Sequence, residues 1–326
     1  MARALTLLLF VGLGLAVVLI SGRGSSAGVS VQAPAGTLVF TAGTNRLTAI
    51  DVASGRRTVL KVPSVAACGP QMHVTGGHVI FAAVEDERTV VFSAPVALDQ
   101  PPRRLGTAHA FVPSATEGRV WLAGVSCTRN AMVGVREVTV DGRVTQESRR
   151  HVPASWLAAA APGGLVLQRS RELAVWDPGT GRSGRPLALQ AVAASGGPLL
   201  AGCAAGPHCS GLSVVDATSG RRVDAQRLRG HDLEQDARFS PDRKLLAAPA
   251  RSGRRWSVAL VDTRSGRTAL VRGTRSRQYP QLSWAASSGW LFVAQGRRML
   301  AFLPGRPRAV ELRFRAPRRA IGFVAG

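Results

Sequence analysis

The segment LSVVDATSGR, residues 212–221, recurs along the chain and decides the fold. Its counterparts are LTAIDVASGR at residues 47–56, LAVWDPGTGR at residues 173–182 and VALVDTRSGR at residues 258–267. Each consists of a short apolar strand, an Asp, a Ser/Thr-Gly turn and a basic residue that begins the next strand. An internal repeat of this kind predicts one small β unit that is used several times.

A second repeat with a similar period supports a ring of similar sheets. Short apolar strands follow turn residues at intervals of 34 to 46 residues, and they begin at Leu38, Val79, Val120, Leu165, Leu199, Leu245 and Leu291. Four-stranded propeller blades have a period of roughly 40–45 residues. We therefore predict an all-β fold, a seven-bladed β-propeller of four-stranded blades.

The two ends of the chain complement each other in this ring. The first unit begins at its second strand, near Thr37, and lacks an innermost strand, whereas a surplus strand at residues 320–325 follows the last unit. We predict that the C-terminal strand pairs with the N-terminal blade and closes the ring, because closure removes an exposed sheet edge.

Residues 1–27 have the features of a targeting segment. Arg3 precedes an apolar run at residues 4–20, and small residues follow it up to Ala27. A secretory signal core has about 7–15 apolar residues and a membrane span about 17–25. We therefore expect either a signal peptide or an N-terminal membrane anchor through residues 4–20. In both cases residues 28–326 form the propeller of an exported protein, extracellular or in the cell envelope.

The chain is strongly basic, with a formal net charge of +23 at pH 7. Arginine supplies nearly all of this charge, since Lys61 and Lys244 are the only lysines. A positive field attracts nucleic acid, anionic lipid or acidic polymers. The alternative explanation is codon bias in a GC-rich genome, which enriches Arg, Ala and Gly together. An arginine-rich surface attracts anions under either explanation.

The sixth unit carries a family resemblance. Gly230-His231, followed by ARFSPDRKLLA at residues 237–247, resembles a WD40 or TolB-type repeat, and the strand–Asp–Ser-Gly-Arg segments resemble the YVTN-type propellers of bacteria. The resemblance extends from Gly28 to the C terminus, but only the turn motifs match well. It implies a rigid interaction platform. Some propellers are lactonases, dehydrogenases or peptidase partners, so the fold alone does not define the function.

Four aspartates occupy the same position in the repeat, at the end of an apolar strand: Asp51, Asp177, Asp216 and Asp262. They could be metal ligands, but each precedes a Ser/Thr-Gly turn and each belongs to a different blade. We predict that they cap these turns and that the turn glycines have positive φ. The glycines are Gly55, Gly181, Gly220 and Gly266. We expect no metal and no cofactor.

Four cysteines in an exported chain predict disulfide bonds. Cys203 and Cys209 bracket a short loop, and we expect them to pair. Cys68 and Cys127 then remain, at the same face of neighbouring blades, where a bridge is feasible. A metal site that uses His208 is the alternative, although CxxxxxC is not a common zinc spacing.

The sequence contains no HExxH and no P-loop, and its one GxSxG match, residues 24–28, falls at the end of the predicted targeting segment. We therefore expect a protein that is not an enzyme. The alternative is a propeller hydrolase or lactonase that acts on a small molecule at the ring axis. That alternative requires two or more acidic or His side chains at the axis.

Basic residues are concentrated in the connections from each outer strand to the next inner strand, which converge on one face. The candidate binding face consists of Arg103, Arg104, Arg149, Arg150, His151, Arg227, Arg229, His231, Arg275, Arg277, Tyr279, Arg318 and Arg319. Aromatic residues are scarce among them, and binding of single-stranded nucleic acid needs stacking platforms. We expect a monomeric binding or scaffold domain whose partner is an anionic envelope polymer or a protein, and not nucleic acid.

Overall fold

Short strands joined by tight turns make up the part of the chain that the structure, a computed structural model, describes. The described residues are 36–65, 72–108, 110–126, 129–148, 156–169, 172–187, 189–194, 196–204, 211–234, 236–285, 289–316 and 322–326. The predicted targeting segment, residues 1–27, lies outside them. Within these ranges, no helix has the length and apolar character that a bilayer crossing requires.

The described residues form 30 strands. In chain order they are β1 (Leu38–Gly43), β2 (Arg46–Asp51), β3 (Arg57–Lys61), β4 (Ser64–Val65), β5 (Met72–Thr75), β6 (His78–Glu85), β7 (Arg88–Pro95), β8 (Arg103–Thr107), β9 (Ala110–Pro113), β10 (Arg119–Ser126), β11 (Arg129–Thr139), β12 (Val144–Ser148), β13 (Trp156–Ala161), β14 (Gly164–Arg169), β15 (Glu172–Trp176), β16 (Ser183–Pro186), β17 (Leu189–Ala194), β18 (Leu199–Ala204), β19 (Leu212–Asp216), β20 (Arg222–Asp224), β21 (Asp232–Leu233), β22 (Arg238–Phe239), β23 (Leu245–Ser252), β24 (Arg255–Asp262), β25 (Thr268–Ser276), β26 (Gln281–Trp284), β27 (Leu291–Gln295), β28 (Arg298–Phe302), β29 (Val310–Glu311) and β30 (Gly322–Ala325).

These strands form seven antiparallel sheets, which are the blades of a propeller. Five blades have four strands, and the second and sixth have five. The innermost strands are β5, β9, β13, β17, β22, β26 and β30, and each contacts the next until β30 contacts β5. Because this circle is complete, the predicted seven-bladed β-propeller is confirmed.

The C-terminal strand closes the ring, as the sequence predicts. Strand β30 pairs antiparallel with β1, with Phe40 opposite Val324 and Val39 opposite Ala325. The first blade therefore has the order β3-β2-β1-β30 and contains both ends of the propeller. The Ala325 N–H also donates to Ser283 Oγ at 2.8 Å, which ties the closing strand to the seventh blade.

The repeated Asp–Ser/Thr–Gly segments form capped turns between third and fourth strands. At Asp216, the carboxylate Oδ1 accepts the N–H groups of Thr218 and Ser219 at 2.9 and 2.8 Å. The Asp216 N–H donates to the carbonyl of Arg221 at 2.9 Å. Gly220 has a φ of 73°, which a side chain would disfavour. The turns at Asp51, Asp177 and Asp262 share this pattern, so the predicted structural role is confirmed.

Two blades depart from the simple four-stranded pattern at their inner position. In the second blade β4 and β5 both pair with β6, and in the sixth blade β21 and β22 both pair with β23. The inner strand is thus divided into two short segments in both blades.

The outer strand of the sixth blade is longer than the sequence suggests. It continues to Ser276, whereas the apolar alternation predicts an end near Val271. Residues 272–275 bulge out of the ladder, and Gly273 supplies a φ of 86° that permits the bulge. The buried Thr274 donates its hydroxyl to the Val271 carbonyl at 2.7 Å, which satisfies the interrupted backbone.

Hydrophobic cores lie between neighbouring blades. Ile80 and Val91 of the second blade pack with Phe111 and Leu122 of the third, and all four are almost completely buried. Burial of each such side chain contributes roughly 1.5–3 kcal/mol to folding. Since every blade is stabilised mainly by its neighbours, an open ring would expose apolar faces on two blades.

We predict that deletion of residues 319–326 prevents cooperative unfolding or causes aggregation. The deletion removes β30 and leaves β1 as an unpaired edge. Calorimetry and light scattering of the full and shortened chains measure the effect, and a peptide of residues 319–326 added in trans should partly restore the transition. A shortened chain that melts like the full chain contradicts the role of β30 in closure.

Candidate functional site

The two faces of the ring differ in their connections. Antiparallel strands reverse at every turn, so the outer-to-inner connections and the hairpins between second and third strands lie on one side, the loop face. The Asp–Ser/Thr–Gly turns lie on the other side, the turn face. The side chains discussed below belong to the loop face and to the inner strands that meet it.

The structure places part of the predicted binding face in loop-face connections. Arg227, Arg229 and His231 lie between β20 and β21, and Arg277 and Tyr279 lie between β25 and β26. The predicted residues outside the described part of the chain are Arg149, Arg150, His151, Arg318 and Arg319.

Three of the predicted residues do not lie in connections. Arg103 and Arg104 belong to the outer strand β8, and Arg275 lies in the bulge of β25. The Arg103 Nη1 donates to the backbone oxygen of Asp141, a residue of the turn face, at 2.8 Å. The expected position in a connection was wrong for these arginines, because outer strands carry charged residues and resemble loops in sequence; Arg275 still lies at the loop-face end of β25.

A cavity of about 690 Å³ opens beside the connection between the fifth and sixth blades. Residues 225–233 line one side, and Gly211 and Leu212 the other. Arg227 and Arg229 are exposed there, and His231 Nδ1 lies 3.1 Å from the Arg229 carbonyl. Three predicted binding residues therefore share one cavity.

A linked group of polar and aromatic side chains lies next to it and is called the Tyr279 cluster: Glu234, Asp236, Arg251, Trp256 and Tyr279. Tyr279 donates its hydroxyl to Asp236 Oδ2 at 2.7 Å. Its ring meets Trp256 edge to face, with ring centroids 4.7 Å apart. Arg251 lies 5.9 Å from the Trp256 ring centroid, and its Nε lies 3.5 Å from Glu234 Oε1. Burial, followed by the hydrogen bond to Asp236, raises the pKa of Tyr279, so its hydroxyl remains a donor at neutral pH.

An inner-strand arginine acts electrostatically on an inner-strand histidine of another blade. Part of the Arg238 side chain, on β22, reaches solvent. The dense protein around its guanidinium group desolvates the charge and lowers the pKa of Arg238. Its Nη1 donates to the Ala237 carbonyl at 2.9 Å. His73 of β5 packs edge to face against Phe111, with centroids 5.4 Å apart. Burial, and then the charge of Arg238, lower the pKa of His73 to about 4.

Of the four cysteines, Cys203 lies among the described residues, and it is disulfide-bonded. Cys68, Cys127 and Cys209 lie outside them, so the proposed pairings stay predictions. Within the described ranges no group of three or more His, Cys, Asp or Glu side chains is arranged for a metal ion.

Sequence reasoning missed the contacts of His73, Asp236 and Arg238. The inner strand ARFS did place Arg238 near the axis, but the partners come from distant parts of the chain. Tyr279 and Asp236 are 43 residues apart. The available signal was the pair Tyr279 and Trp256, which are the aromatic residues found among the loop-face arginines.

Comparisons with known proteins identify the fold. No family model and no curated protein matches the sequence. The structure is similar to TolB from Acinetobacter baumannii, with a TM-score of 0.52 and 10% identity, over 89% of this chain and 66% of that chain. It is also similar to hydrazine synthase from Kuenenia stuttgartiensis, with a TM-score of 0.51 and 14% identity, over 72% of this chain and 76% of that chain. At these identities the similarities show a shared propeller fold.

We predict that replacement of His73 by Gln removes a pH-dependent part of the stability. The unfolded chain binds a proton at this residue near pH 6.5 and the folded chain near pH 4, so folding is penalised as the pH falls between these values. Urea unfolding should show wild-type stability falling by about 1–3 kcal/mol more than that of His73→Gln between pH 6.5 and 4.5. Parallel pH profiles for the two proteins contradict a His73 that stays neutral in the folded chain.

Proposed function

We propose that this TolB-like propeller is an exported, non-catalytic binding protein that recognises an anionic partner through its loop face. The partner is an anionic envelope component or an acidic protein surface. The observation that carries the proposal is the group of exposed arginines without ion-pair partners on both sides of the sixth blade.

That charge belongs to Arg227, Arg229, Arg275 and Arg277. Each is exposed, and none forms an ion pair with any described residue. Other described arginines do form ion pairs, as in Arg104–Glu85, Arg119–Glu137, Arg222–Asp224, Arg251–Glu234 and Arg298–Glu311. Unpaired arginines keep all their donors for a ligand, and guanidinium groups suit carboxylate and phosphate oxygens.

The Tyr279 cluster supports recognition of a macromolecular partner. Tyr279 is 37% exposed, and the contacts with Asp236 and Trp256 hold its ring in place. An aromatic side chain that is ordered before binding loses little conformational entropy when it enters an interface. Tyr, Trp and Arg are also the residues that most often dominate interface energetics.

The inner-strand chemistry favours binding over catalysis. The hydrolase alternative needs acidic or His side chains at the axis, and among the described residues Asp236 and His73 come nearest to that requirement. Asp236 accepts the Tyr279 hydroxyl, and a histidine with a pKa of about 4 is a weak base at neutral pH. We therefore favour a non-catalytic role.

The test measures binding of the full chain to poly-glutamate and to polyphosphate at increasing salt. We predict that the combined replacement of Arg227, Arg229, Arg275 and Arg277 by Gln weakens binding about tenfold, since exposed charge contacts contribute roughly 0.3–0.5 kcal/mol each. Binding should also weaken with added salt. The preferred polymer indicates the class of partner.

A turn-face variant provides the matched control. It replaces the same number of exposed arginines, Arg182, Arg221, Arg264 and Arg306, and should change the affinity less than about twofold. An equal loss in both variants, or binding that does not weaken with salt, contradicts recognition by the loop face.

A further inference from the structure

A narrow cleft lies between the first and seventh blades, where the two ends of the propeller meet. Its volume is about 320 Å³, and the residues that line it are Thr41, Gly43, Arg46, Thr48, Arg57, Arg297 and Ala316. The lining thus comes from β1, β2 and β3, from the hairpin between β27 and β28, and from the segment that leads to β30. None of these residues belongs to the predicted binding face.

Positive charge dominates this cleft. Arg46 begins β2, Arg57 begins β3, and Arg297 lies in the hairpin of the seventh blade. None of the three forms an ion pair with a described residue, and the lining contains no acidic side chain. Arg57 Nη2 donates to the Arg315 carbonyl at 2.9 Å, which holds one guanidinium group against the segment that leads to β30.

The floor of the cleft presents a buried hydroxyl that lacks a partner. Thr41 is 2% exposed, and its Oγ1 makes no hydrogen bond. Thr48 lies directly opposite on β2 and is also buried. A buried polar group without a partner is rare in folded proteins, and a bound ion or water molecule is a common explanation. This hydroxyl is an observation independent of the arginines, and it indicates a ligand that accepts hydrogen bonds.

Gly43 makes room for one of the arginines. A Cβ atom at this position would lie 3.2 Å from Arg46 Cγ, closer than ordinary contacts allow. The Arg46 side chain therefore lies close over the end of β1. A side chain at residue 43 would require the Arg46 side chain to shift by a few tenths of an ångström.

We propose that this cleft binds a phosphate group, either free inorganic phosphate or a phosphate monoester. Guanidinium groups from two blades would donate to its oxygens, and Thr41 Oγ1 would donate from the floor. Because the ligand contacts the first and seventh blades together, its binding stabilises the closed ring over any state in which these blades separate. The cleft lies at the loop face but shares no residue with the arginines beside the sixth blade, so the proposed function does not depend on it.

The experiment measures thermal unfolding of the full chain against sodium phosphate at constant ionic strength set with sodium chloride. We expect a saturable rise in Tm of about 4 °C when phosphate reaches one hundred times its Kd. The same titration is repeated with glycerol 3-phosphate, a phosphate monoester. Tighter binding of the monoester identifies a phosphorylated ligand as the source, and tighter binding of inorganic phosphate identifies the free ion.

Three variants distinguish a ligand site from a structural contact. Arg297→Gln should weaken phosphate binding about tenfold in calorimetric titration. Thr41→Val should weaken it too, while Tm without phosphate stays equal or rises because the unpaired hydroxyl is gone. Arg306→Gln, on the turn face of the same blade, should bind phosphate like the wild type. A phosphate effect no larger than that of chloride, or equal losses in Arg297→Gln and Arg306→Gln, would overturn the proposal.

Discussion

The pairing of β30 with β1 is the interaction on which the rest of the structure depends. Leu38 and Gly326 exchange two backbone hydrogen bonds, and Ala325 donates to Ser283 of the next blade. The last four described strand residues therefore belong to two neighbouring blades at once. Without them, β1 would have a free edge and the seventh blade would lose one of its two neighbours.

Closure also determines where charged side chains can meet. It brings Arg297 of the seventh blade beside Arg46 of the first. Both proposed anion sites consequently depend on the ring, but in different ways. The arginines beside the sixth blade need the correct order of blades, whereas the cleft between the first and seventh blades needs the two ends of the propeller to remain together.

The architecture could be predicted because it rests on local and repeated signals. LSVVDATSGR and its copies define the third strand and turn of four blades, and the surplus C-terminal strand indicates closure. Strand limits were less predictable where polar residues continue an outer strand, as at Arg103 and Arg275. The Tyr279 cluster and the Thr41 cleft could not be predicted, because each joins residues that are distant in sequence. The sequence shows that one face of the first blade is polar, at Thr41, Gly43, Arg46 and Thr48. It does not show that Arg297 of the seventh blade lies against this face.

Amide hydrogen exchange at the C terminus tests the central claim most directly. If β30 is an integral part of the first blade, the amides of Ala325 and Gly326 should exchange as slowly as core amides in β14 and β18, because all of them require global unfolding. Exchange at Ala325 and Gly326 that is about a hundredfold faster than in those core strands would show that β30 detaches from a ring that stays folded, which would contradict closure as the determining interaction.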